Sequence, residues 1–145
     1  KNVEKQIAYE DDKKLHLSGT YDKFREQCEI SRKNLVDTLQ QQKRDGKRVV
    51  GYAATSKSTT VLNYCGIGPD LIEFISDTTP IKQGKYSPGV HIPVFSYDNL
   101  KNNYPDGLLL FAWNHKEEIM AKESSFLESG GEWITYVPHV ALIRK

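Results

Sequence analysis

Polar residues fill positions 1 to 19 without a clear period, which reads as a linker or interdomain tail. From Tyr21 the pattern changes. Tyr21, Phe24, Cys28, Leu35 and Leu39 fall at spacings of three, four, seven and four, which places them on one helical face. The spacing predicts a helix of about 25 residues, roughly 37 Å long, with Gly46 as its C-terminal cap. Its other faces are charged, so one side docks and the rest is solvated.

Short apolar runs then alternate with helical patterns. "RVVGYAA" predicts a strand, and "TTVLNYC" a helix closed by Gly66. "LIEFISD" predicts a second strand ending in Asp77. After the turn-rich "TTPIKQGKYSPG" comes a short strand in "VHIPVF". "SYDNLKNNY" predicts a short helix with Ser96 at its N-cap. "GLLLFAW" is apolar throughout, as in a strand covered on both faces. Asn114 is placed to cap a single helix through "HKEEIMAKESSFLESGG", with Glu117 answering it. "EWITYVPHVALIR" supplies one or two last strands, broken at Pro138. The alternation implies an α/β fold over residues 20–145: a Rossmann-like three-layer αβα sandwich. Its sheet is expected to be mostly parallel, with an antiparallel edge strand possible.

Composition narrows the function classes. The chain has 145 residues, 27% charged and 38% apolar, with a net charge of +1. Such a balance gives no global field toward nucleic acid or membrane. No apolar run approaches the roughly 20 residues of a bilayer span, and the first residues lack the apolar middle of a signal peptide. Cys28 and Cys65 form no paired motif, so neither a zinc site nor a disulfide framework is expected. A reduced, cytoplasmic setting follows.

The candidate chemistry lies in the first strand-to-helix turn, Ala53 to Ser58. Ligands of open α/β sheets bind there, at the carboxyl ends of the strands. Thr55, Ser56, Ser58 and Thr59 offer hydroxyls, and Lys57 offers a charge to an anion at the helix start. The bland reading is that Ser58 or Thr59 caps the helix and Lys57 is solvated. Asp77 stands where a dinucleotide fold keeps a ribose-binding carboxylate, yet the G-x-G-x-x-G pattern is broken at Ala53 and Ser56. Trp113 and Asn114 follow a predicted central strand, placed to stack on a ring and to hydrogen-bond a ligand. His91, His115 and His139 have no metal-ligand spacing.

Three blocks are more specific. Gly51, Tyr52, Ala54, Lys57, Leu62, Asn63 and Ile67 form one. Asp77, Pro80, Lys82, Gln83, Gly84, Pro88, Gly89, Ile92 and Pro93 form the next, and Trp113–Asn114 the last. Together they resemble the C-terminal domain of the S-adenosylmethionine-dependent C-methyltransferases of deoxysugar biosynthesis, over about Tyr21 to Val137. The chain departs from the family pattern at Ala53, where glycine is usual. The resemblance implies a substrate-binding domain for a nucleotide-linked sugar. Thr55, Ser56, Lys57, Ser58, Asn63, Asp77, Lys82, Gln83, Trp113 and Asn114 are its candidate binding residues, with the Tyr86–Gly89 loop placed to close over them. It implies no cofactor and no catalytic base in this segment, and S-adenosylmethionine in an upstream domain. Two other readings are an independent NAD(P)-dependent oxidoreductase and a non-catalytic interaction domain.

Overall fold

The computed structural model describes residues 1–145. Helix α1 spans Asn2–Asp12 and buries none of its residues, so the start of the chain is helical with Val3, Ile7 and Tyr9 left exposed. Helix α2, Ser18–Arg44, runs 27 residues, and only Leu35, Leu39 and Gln42 of it are buried. The apolar positions of its first half, Tyr21 and Phe24, stay exposed.

Strands β1 (Val49–Tyr52), β2 (Ile75–Ser76), β3 (Val94–Phe95), β4 (Gly107–Leu110), β5 (Glu132–Thr135) and β6 (Ala141–Ile143) form one sheet in the order β3-β2-β1-β4-β5-β6. All neighbours are parallel except β5 and β6, so the edge strand is antiparallel. Gly51 pairs with Ile75 on one side and Leu109 on the other. The chain runs outward from β1 to β3 and returns to β4 beside β1. Strand order therefore reverses between β1 and β4, where such sheets open a crevice.

Successive strand residues point to opposite faces, and both faces are covered. One face packs Val49, Ile75, Leu109 and Ile134 against Leu35 and Leu39 of α2 and Leu62 of α3, Ser56–Cys65. The other packs Val50, Tyr52, Leu108 and Trp133 against Leu100 of α4, Tyr97–Lys101, and Phe126 of α6, Ser124–Glu128.

The last helical region differs from the sequence expectation. Trp113–His115 make a 3-10 turn, and α5, Lys116–Lys122, follows with His115 rather than Asn114 at its N-cap. Glu123 then interrupts the helix before α6. Its backbone leaves helical geometry and its side chain turns into the core, 1% exposed.

Candidate functional site

The turn after β1 is held by the backbone and by its own hydroxyls. Ala53 has φ +74°, and its N–H donates to Ser76 O at 2.8 Å. Ala54 N–H donates to Asp77 Oδ2 at 2.7 Å. Thr55 caps α3: Ser58 N–H donates to Thr55 Oγ1, and Thr55 N–H to Ser58 Oγ. The cap is thus Thr55, and the hydroxyls of Thr55 and Ser58 serve the helix start. Ser56 is exposed. Lys57 is half-buried, makes no ion pair or hydrogen bond, and stands in a first turn with no acidic residue. A cation there opposes the helix dipole.

Asp77, Lys82 and Gln83 brace this turn. Asp77 is 7% exposed. Its Oδ1 accepts Thr79 N–H at 2.8 Å, and its Oδ2 also accepts Lys82 Nζ at 3.1 Å. Burial pushes the Asp77 carboxyl up, but the bonds from Thr79, Lys82 and Ala54 outweigh it and hold it below its usual value. Lys82 also donates to Ala54 O at 2.7 Å, and Gln83 Nε2 to Asp77 O at 3.0 Å. Asn63 donates from α3 to Thr59 O and to Pro88 O. Residues 84–94 fold back on themselves: Gly84 N–H donates to Val94 O, Val94 N–H to Lys85 O, and Ser87 N–H to Ile92 O. The Tyr86–Gly89 stretch is therefore part of a hairpin rather than an open loop.

Trp113 and Asn114 lie beyond the carboxyl end of β4, lining a separate depression with Glu117 and Glu118. No three His, Cys, Asp or Glu side chains converge as metal ligands, and no helix is long and apolar enough to cross a membrane.

One feature escapes the sequence reading. A cavity of about 240 Å³ opens at the carboxyl ends of β1 and β2, walled by Tyr52, Ala53, Ser76, Tyr97 and Ile119. Behind it, Glu123 accepts from the hydroxyls of Tyr52 and Tyr97, each at 2.8 Å. Burial, then the bonds to Glu123, push both phenols well above their ordinary range. A signal was present in the sequence. Glu123 falls on the face of Ile119, Met120, Phe126 and Leu127, where a carboxylate needs buried partners.

Residues 1–138 match the C-methyltransferase C-terminal domain family. The chain belongs to that family. It is also 38% identical, over 141 residues, to the C-methyltransferase NovU of Streptomyces niveus. That alignment covers 97% of this chain and 34% of the relative, so the chain spans about a third of the relative's length.

Within this C-methyltransferase C-terminal domain, several motif residues have structural work. Gly51 lies inside β1, where an added Cβ would come 2.6 Å from the ring of Phe111. It serves packing rather than close approach to a phosphate. Both Asp77 oxygens are occupied by the fold, which leaves it poorly placed to receive a ribose. Ala53 replaces the glycine that lets a backbone approach a pyrophosphate. The oxidoreductase reading is not favoured.

Proposed function

We propose that this chain is the substrate-holding C-terminal domain of an S-adenosylmethionine-dependent C-methyltransferase acting on a nucleotide-linked deoxysugar. The enzyme is cytoplasmic, and its methyl donor and catalytic base lie elsewhere in the polypeptide. The sheet is read as Rossmann-like, with the ligand edge at the carboxyl ends of β1, β2 and β4. Family membership supports the reaction class, and Lys57 carries the reading for this segment. It is a half-buried cation at the start of a ten-residue helix, without a partner in the fold. Such a residue is mildly unfavourable to the helix and is explained by an anionic ligand. Its ammonium would bind and orient the diphosphate of the substrate, with Ser56 beside it. The clamped turn presents these groups in fixed positions.

The test is Lys57→Ala in the full-length enzyme. Substrate affinity should fall by about 1.5–3 kcal/mol, the scale of a charged hydrogen bond, with methyl-donor affinity unchanged. The melting temperature of the chain should stay level or rise slightly. Unchanged substrate affinity would remove the turn from the site.

A further inference from the structure

Helix α2 is much longer than the sheet it packs on. Its first buried residue is Leu35, so Ser18 to Asn34, about 25 Å of helix, lie on no core. Strand β5 sets the direction of this overhang. Gln42 bonds to Glu132 at the start of that strand, whereas Phe24 and Leu35 border the Tyr136–Pro138 segment just past its end. Strand β5 is parallel to β4, and β4 to β1, so the overhang projects beyond the carboxyl edge of the sheet. The apolar stripe does not stop where the core does. It continues backward from Leu35 through Cys28 and Phe24 to Tyr21, and Phe24 is 68% exposed. Beside it opens a groove of about 350 Å³, floored by the buried Leu35, Cys65 and Tyr136. The rim of the groove is polar and ordered. Glu29 accepts from the Tyr64 hydroxyl at 2.7 Å and from Arg32 at 3.2 Å, and the Arg32 guanidinium lies 5.7 Å from the centre of the Tyr64 ring. An apolar centre inside a polar rim is the anatomy of a protein interface.

We propose that this groove and the exposed stripe of α2 are the seat of the methyl-donor domain of the same polypeptide. The proposal rests on the reading above, in which the donor is bound elsewhere in the chain. Three observations select that occupant. The alignment covers 34% of the NovU relative, and the matched family is a C-terminal domain, so in that relative about two thirds of the length precedes the matched segment. The overhanging end of α2 is its N-terminal end, reached through α1, so a preceding domain approaches from this side. Methyl transfer also requires donor and substrate to meet, and the overhang lies on the same sheet edge as the turn that carries Lys57. A second copy of the chain would bring no donor to that edge. Burial of Tyr21, Phe24 and the groove floor drives the docking, and the Glu29–Arg32–Tyr64 rim fixes its register. Since α2 is one unbroken helix from Phe24 to the core at Leu39, the domain seated on it is held at a fixed distance from the sheet.

Cys28 lies half-buried on the stripe and reports whether the stripe is covered. The experiment labels it with iodoacetamide, in the 145-residue chain and in the full-length enzyme, and reads each cysteine by peptide mass mapping. Cys28 should react readily in the chain and about tenfold more slowly in the enzyme, while the buried Cys65 stays slow in both. Phe24→Asp should leave the melting temperature of the chain unchanged, because the ring is exposed, and should restore Cys28 labelling in the enzyme. Cross-links from the exposed Lys23 should end within the region whose amides S-adenosylmethionine protects from exchange. Equal Cys28 rates in chain and enzyme would overturn the proposal. So would cross-links that run to another copy or back to Lys5 of α1, or Cys28 protection in the chain alone that grows with its concentration. These readouts do not involve the sugar substrate. A freely labelled Cys28, with Lys57→Ala still weakening substrate binding, would remove the docking surface alone. A covered Cys28, with full substrate affinity in Lys57→Ala, would remove the first-turn reading alone.

Discussion

Gly89 lies so close to Asn63 that a Cβ on the glycine would overlap the asparagine amide. Gly89 also has φ +84°, a backbone region that L side chains rarely adopt. The asparagine uses the space to donate to Thr59 O at 2.8 Å and Pro88 O at 2.9 Å, tying α3 to the hairpin. Gly89→Ala should therefore cost about 1–3 kcal/mol, from strain and the loss of one or two hydrogen bonds. Chemical denaturation of a double-mutant cycle checks it. Gly89→Ala should cost less in an Asn63→Ala background, and additivity would show that the two residues do not compete for space.

Ala53 provides the opposite case. Its left-handed backbone, φ +74°, carries a side chain where none is favoured. A left-handed non-glycine residue costs about 1–2 kcal/mol, and part of that is offset because glycine loses more freedom on folding. Ala53→Gly should raise stability by about 0.5–1 kcal/mol, and Ala53→Val should lower it. A fall in melting temperature for the glycine variant would show that the alanine methyl contributes packing that outweighs its strain.

Glu132 contributes an acid-sensitive interaction at the other end of the sheet. Its side chain is 4% exposed and accepts from Lys47 and from Arg144, each at 2.6 Å. Burial pushes its carboxyl up, but the bonds from Lys47, Arg144 and Gln42 prevail and hold it below the ordinary value. The folded value is depressed, so the stabilisation is complete above the unfolded value, about 4.3. It is lost as the pH falls through the lower folded value. Glu132→Gln should cost about 1–3 kcal/mol at pH 7 and flatten the fall in stability below about pH 4. Melting curves from pH 2 to 7 measure both, and a parallel shift at all pH values would assign Glu132 no part in the acid transition.

Much of the fold was legible because apolar periodicity is strong where both sheet faces are covered. "GLLLFAW" held β4, and "RVVGYAA" held β1. The two-residue strands β2 and β3 were harder to bound, since their neighbours Glu73 and Pro93 bond only at single positions. The interruption of the last helix was hidden. Glu123 falls on the apolar side of its helix, but the partners that draw it inward, Tyr52 and Tyr97, lie 71 and 26 positions away in the chain. In the candidate site, the turn and its cation could be located from residue types alone. The occupation of Asp77 and Lys82 by each other could not, because a D-x-x-x-x-K spacing serves a ligand and a brace equally well.

The brace formed by Asp77, Lys82 and Ala54 bears on how fast a ligand can be captured. A segment that must order around its ligand waits for that rearrangement before it holds on. Here the segment after β2 and the first turn are fastened to one another when the chain folds, so a ligand at this turn would meet a finished surface. Encounter would then lead directly to docking, with the lifetime of the complex set by its contacts. Loosening the brace, as Lys82→Met would, should therefore appear first as slower association, before any contact with the ligand is lost.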